Sequence, residues 1–196
     1  MYIGPYGTTA PSKDALLRQY EEIWNPDRQV SWEEHLSHLY PVLEYMLVRA
    51  RHAANSDAES YRNYFVGCTV LAFNAYAAMP GERYKIFSGS NIKIYPDQPK
   101  LCAEPIAVAG AKNAGYKLIV GMVVVGTPQA ENGKICSTLR PCMNCRTICS
   151  ALDIVVPQTV IYTAHLEEDG IFEQFTMASL VQLQGDVNSW PLILPG

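Results

Sequence analysis

Two short stretches restrict this chain more than anything else in it, because their chemistry requires them to meet in space. They are Cys102-Ala103-Glu104 and, after residues 105–140, Pro141-Cys142-Met143-Asn144-Cys145. Three thiols and one carboxylate at that spacing describe a metal site open to chemistry. Zn²⁺ takes four tetrahedral ligands, and thiolate sulfur is among the best of them. If Cys102, Cys142 and Cys145 fill three positions, water takes the fourth and Glu104 is left over as a base beside it. A structural zinc keeps no open position. Any fold for this chain must therefore set two distant segments side by side.

At 196 residues the chain is long enough for one domain with a full hydrophobic core. Its net charge of -4 offers no basic footprint for nucleic acid, so such a partner is not expected. The apolar run Leu118 to Val125 is too short to span a bilayer. Met1-Tyr2-Ile3-Gly4-Pro5 lacks the basic start and apolar centre of a signal peptide, so the expectation is a cytoplasmic protein with no membrane partner. Thiols stay reduced there, and six cysteines then do not imply three disulfides.

Periodicity predicts the elements in order. Ser12 and Asp14 precede Leu16, Leu17, Tyr20 and Ile23 at helical spacing, and Asn25-Pro26-Asp27 stops that helix. Ser31 with Glu34 reads as a capping box for a second helix, running to about His52, with a kink or break at Pro41. Residues 64–73 form a near-continuous apolar strand, and 84–89 its hairpin partner. A helix is expected from Cys102 to Gly115, a central strand over 116–126, and a polar connection over 127–140. A helix over 141–153, a strand over 154–164, a short edge strand over 172–175 and a last helix over 177–184 complete the chain. The apolar tail from Trp190 reads as a docking segment. The result is an α/β fold with helices covering a mixed sheet. Its expected divisions are an N-terminal helical extension (1–60), a core (61–165), and C-terminal edge elements with a tail (166–196). Both ligand stretches fall at helix starts. Pro141 favours a first helical turn, Cys142 and Cys145 at i and i+3 face the same way, and the positive helix end favours thiolate.

Other readings of the same residues stand beside this one. A Cys-x-x-Cys pair is often half of a structural zinc knuckle. Cys136, Cys142, Cys145 and Cys149 could hold an iron–sulfur cluster, or give the metal a fourth thiol. Cys149, seven residues after Cys142, reads better as core, and so does Cys68 inside its apolar strand. His35, His38 and His52 read as packing or surface residues. His165 follows a strand end, where a pocket can open.

Taken together, Cys102-x-Glu104 and Pro141-Cys142-x-x-Cys145 resemble the signature of the zinc-dependent cytidine deaminase superfamily, over roughly Tyr61 to Thr163. The three-cysteine set resembles the small cytidine deaminases and the blasticidin S deaminases. The resemblance implies a three-layer α/β/α fold with a mixed sheet, here carrying an added N-terminal helical segment. It makes Cys102, Cys142 and Cys145 the ligands of one Zn²⁺ per chain and Glu104 the proton shuttle. It further implies that Asn91, in Phe87-Ser88-Gly89-Ser90-Asn91-Ile92, binds the nucleoside sugar. Tyr64 would line the base of the pocket, and the backbone of Ala103 would contact the pyrimidine.

Two departures bear on substrate. Where cytidine deaminases carry a sugar-binding glutamate two residues after the asparagine, this chain has Lys93. A lysine cannot accept those hydrogen bonds but can meet a phosphate or carboxylate. The residue after Glu104 is Pro105 where the family often has arginine, which leaves Arg146 to offset the charge of three thiolates. The expected activity is hydrolytic deamination of a cytosine nucleoside, nucleotide or close derivative, by a homo-oligomer (dimer or tetramer). The alternatives are a deaminase of single-stranded nucleic acid and a non-catalytic zinc-fold binding protein.

Overall fold

A computed structural model of the chain describes residues 30–55, 64–92, 100–128, 130–131 and 134–183. The helix expected over residues 12–23, the tail from Trp190 and Lys93 lie outside the described residues. Helix α1 (Trp32–Leu39) begins where Ser31 Oγ accepts from the Glu34 backbone N–H at 3.2 Å. It stops at Pro41, which has no N–H to continue the ladder. A 3₁₀ turn (Tyr40–Val42) leads into α2 (Leu43–Asn55), so the proline breaks one long pattern into two helices.

The sheet is built from β1 (Val66–Phe73), β2 (Tyr84–Ser90), β3 (Leu118–Gly126), β6 (Val155–His165) and β7 (Phe172–Thr176). Its spatial order is β2-β1-β3-β6-β7, and it is open at both edges. β1 runs antiparallel to β2 and β3, β3 and β6 are parallel, and β7 returns antiparallel to β6. Every residue of β1 is buried, which explains its unbroken apolar run: both faces of the strand are covered. Val66, Cys68, Val70 and Ala72 face α3 (Ala103–Asn113), and the same layer holds α4 (Met143–Ser150) and α5 (Met177–Gln182). Leu71 and Phe73 face the other way, onto Leu39 of α1 and onto Met46, Ala50 and Ala54 of α2. The three-layer α/β/α arrangement is thus observed, with α1 and α2 as one of its layers. Each large side chain buried this way stabilises the fold by roughly 1.5–3 kcal/mol. Among the described residues, no helix is long and apolar enough to cross a membrane.

Three local expectations are corrected. Residues 127–140 contain a small hairpin of β4 (Ala130–Glu131) and β5 (Lys134–Ile135). The Asn132-Gly133 pair between these strands is a strong hairpin signal in the sequence. Pro141 does not open a helical turn. Cys142, in extended conformation, is the N-cap of α4, and the Pro141 carbonyl accepts from Arg146 Nε at 2.6 Å. The α4 helix ends at Ser150, short of Asp153, whereas α3 starts at Ala103 with Cys102 as its N-cap, beside the expected start.

Two glycines set the spacing of the layers. A Cβ on Gly67 would lie 1.9 Å from the Ala50 carbonyl of α2, and one on Gly89 would lie 2.5 Å from the Ala103 carbonyl of α3. Both atoms are backbone, so a side chain there forces the helix off the sheet. Gly89→Ala should therefore cost about 1–3 kcal/mol in urea unfolding and weaken metal binding, because the displaced residue adjoins Cys102. Unchanged values of both would refute so close an approach.

His35 is 5% exposed, with Nδ1 2.9 Å from Tyr84 Oη and its ring edge-on to Phe73. Burial pulls its pKa below the ordinary 6.5, against a smaller opposing effect of Glu34. The folded value lies below the unfolded one, so this contribution to stability is full above about pH 6.5 and is lost as pH falls through the folded value. The melting temperature should drop between pH 7 and 5, and by less in His35→Gln. An equal drop in both proteins would count against the buried neutral ring.

Candidate metal centre

Each ligand stretch places its residues through a helix start. Cys102 caps α3 and Cys142 caps α4, and neither side chain makes the hydrogen bond an N-cap usually supplies. Glu104 is the second residue of α3 and Cys145 the third of α4, so both point from a first turn into the same space. The sulfurs of Cys102, Cys142 and Cys145 all lie within 4.8 Å of one another. Those of Cys142 and Cys145 are 3.3 Å apart, and Glu104 Oε2 is 3.3 Å from Cys145 Sγ. Zn–S bonds of about 2.3 Å in a tetrahedron require sulfurs roughly 3.8 Å apart, so the cluster matches the ion in size as well as chemistry. Glu104 stands beside it as a carboxylate outside the trio.

The thiols share protons. Hydrogen bonds from Cys102 and then Cys145 hold Cys142 far below its ordinary range, while hydrogen bonding to Cys102 and Cys142 pushes Cys145 far above it. Cys102 rises to about 11, chiefly through its hydrogen bond with Cys142. A dication displaces the protons that remain. Glu104 is 4% exposed, and burial lifts its carboxyl above the usual range, opposed by hydrogen bonds from its own backbone N–H and from Cys145. A carboxyl shifted in this direction holds a proton more readily than an exposed one.

These groups open into a pocket of about 330 Å³, lined also by Tyr64, Asn91, Ala103, Arg146 and Lys100. Tyr64 is kept protonated, at a pKa of about 12, first by burial and then by the Glu104 charge. Asn91 is buried with both ends of its carboxamide engaged: Oδ1 accepts from Val66 N at 2.6 Å and Nδ2 donates to Tyr64 O at 2.8 Å. Arg146 is 2% exposed and donates to the carbonyls of Pro141 and, at 3.3 Å, Leu180. These bonds hold the guanidinium in the pocket wall, and the one to Pro141 anchors the loop that carries Cys142.

Sequence reasoning passed over three participants. Lys100 Nζ lies 5.2 Å above the Tyr64 ring. Arg140, also in the pocket wall, pairs with Glu173 of β7 at 2.6 Å and lies over the Phe175 ring. Glu173 in turn accepts from Thr138 Oγ1 at 2.6 Å. The Glu173 and Phe175 pairings join residues far apart in sequence, and no local motif announces them. His165 is the last residue of β6 and is absent from the pocket lining. Its Nδ1 accepts from the backbone N–H groups of Glu167 and Glu168, so it holds the turn after β6. Among the described residues, neither Cys136 nor Cys149 joins the sulfur cluster; Cys149 is buried in the core, as is Cys68.

With that geometry in place, the comparison with solved structures identifies the fold. The chain superposes on cytidine deaminase from Burkholderia pseudomallei with a TM-score of 0.53 and 20% identity, covering 70% of this chain and 94% of that one. Cytidine deaminases from Mycobacterium tuberculosis (TM-score 0.49, 18% identity, 70% and 92% covered) and Mycobacterium leprae (0.47, 20%, 71% and 96%) also match. No protein-family model and no curated protein matches the sequence. The open mixed sheet and its helices are the cytidine deaminase fold, and within it three cysteines stand where they could hold a metal ion.

Removing a ligand tests the centre. Equilibrium dialysis should find one Zn²⁺ per chain. Outer-shell changes alone cost about 10–100-fold in metal affinity, so Cys102→Ala, Cys142→Ala and Cys145→Ala should each cost more. Cys149→Ser should keep the stoichiometry, and loss of metal in that variant as deep as in the others would reassign the ligand set.

Proposed function

We propose that the protein is a zinc-dependent hydrolase that deaminates a cytosine nucleoside or close derivative to its uracil form with release of ammonia. The observation that carries this reading is the position of Glu104. It is a buried carboxyl, 3.3 Å from one sulfur of the trio yet not a member of it, with its pKa raised by burial. A purely structural site has no use for such a group. The zinc, held by Cys102, Cys142 and Cys145, supplies Lewis acidity that makes water a nucleophile at neutral pH.

The remaining steps belong to the chain. Glu104 takes the proton of the attacking water and passes it to the pyrimidine ring nitrogen. The C4–O bond forms in that step; Glu104 then takes the remaining proton from the C4 hydroxyl and delivers it to the amine, which leaves as ammonia as the C4–N bond breaks and C4=O forms. Arg146 offsets the excess negative charge of three thiolates on a dication. Asn91 lines the pocket and orients the sugar while holding Tyr64 and Val66 in place. The Ala103 backbone meets the ring edge. The pocket volume, at the lower end for small-molecule sites, supports a free small substrate. Exposed Met143 and Ile148 on α4 are in keeping with an assembly of several copies.

Incubation with cytidine, deoxycytidine, CMP, dCMP and blasticidin S, followed by loss of cytosine absorbance, tests the reaction. Glu104→Gln should retain zinc while turnover falls by at least about 10²–10⁴-fold. Full activity in that variant would end the proposal, and zinc binding without turnover of any compound would favour a binding protein.

A further inference from the structure

We infer that this pocket selects an anionic cytosine derivative, a nucleoside monophosphate over the neutral nucleoside, and that Lys100 is the residue that selects it. The inference rests on the deaminase reading and specifies its substrate class. Among the described residues of the lining, the cations are Lys100, Arg140 and Arg146, and the only carboxylate is Glu104. These cations differ in what occupies them. Arg146 is buried and donates to two backbone carbonyls beside the thiols. Arg140 is neutralised by Glu173, both side chains being 24% exposed. Lys100 is exposed, with its ammonium over the Tyr64 ring and its charge acting on Cys142 and Glu104 without a direct ion pair to either among the described contacts.

Its position is not that of a loose surface lysine. Ile92 and Leu101 exchange both backbone hydrogen bonds, at 2.9 and 3.0 Å, and so fix the chain immediately after Lys100. The face of Tyr64 attracts the ammonium and holds it at the pocket wall, so less ordering remains to be done when an anion arrives. The neutral side of the pocket is correspondingly poor. Asn91 spends most of its carboxamide on Val66 and Tyr64, and the described lining offers no second carboxylate to accept from sugar hydroxyls. An ammonium meeting a phosphate is the strongest polar contact this wall can make with a nucleotide. The pocket volume suits one nucleotide rather than a strand.

Zinc-loaded Glu104→Gln protein allows binding to be read without turnover. Titration calorimetry at low salt should give CMP an affinity about tenfold above cytidine, narrowing as salt is added. Adding Lys100→Gln should collapse that ratio toward one. If Lys100 only offsets the thiolates, both ligands will weaken together and the ratio will stand, which overturns the inference. Equal binding of CMP and cytidine overturns it too, as does tighter binding of a single-stranded oligodeoxycytidine. Deamination of cytidine by the parent protein with no preference for CMP would remove this inference alone. Failure to deaminate any cytosine compound would remove the deaminase reading with it.

Discussion

The parallel pairing of β3 with β6 is the constraint on which the rest depends. Parallel neighbours cannot be joined by a tight turn; the chain must leave the sheet, cross its face and re-enter. Here the return passes through α4, just as the entry to β3 passes through α3. Each helix runs into its strand through a short turn, at 114–117 and at 151–154, so each lies antiparallel to the strand that follows it. Because the two strands point the same way, both helices begin at the same edge of the sheet. That edge is the carboxyl end of the strands, where open α/β sheets commonly bind ligands. Two cysteine-bearing stretches remote in sequence become neighbours by topology alone.

Closeness is then a matter of packing. A helix start gives direction, but sulfurs within 4.8 Å of each other require the helix to lie tight against the sheet, which the bare backbone at Gly89 permits. The first turns also shape the electrostatics. Unpaired N–H groups and the positive end of each helix favour anionic sulfur, while burial works against the charge on Glu104. The same few residues thus set thiols that could hold a metal ion beside a carboxyl whose charge burial opposes. Arg146 ties these parts together, since its guanidinium joins the Pro141 carbonyl to that of Leu180 in α5.

Much of this was legible in the residues. Continuous apolar runs marked the buried strands because both faces of the sheet are covered. Pro41 marked a real break, and the strand ends and helix stops fell within a few residues of their punctuating glycines and prolines. Cys102, Cys142, Cys145 and Glu104 stood out because a metal site asks for several sulfurs and a spare carboxylate at set intervals, and the fold brings these four side chains together. What was missed depends on contacts with no local trace. That Asn91 clasps the backbone leading into β1, that Arg140 pairs with Glu173 of β7, and that Lys100 rests on Tyr64 all follow from how distant segments meet. The hairpin at β4 and β5 is a different case: its Asn-Gly signal was present, within a stretch read only for its polarity.

The exchange of hydrogen bonds between Ile92 and Leu101 has a consequence for how such a protein can change over generations. It fixes the chain at Leu101, one residue before Cys102. Lengthening a tied loop is thermodynamically mild, about 0.6 kcal/mol for each doubling. Changes in length between Ile92 and Leu101 can therefore accumulate while Cys102 and the start of α3 keep their place.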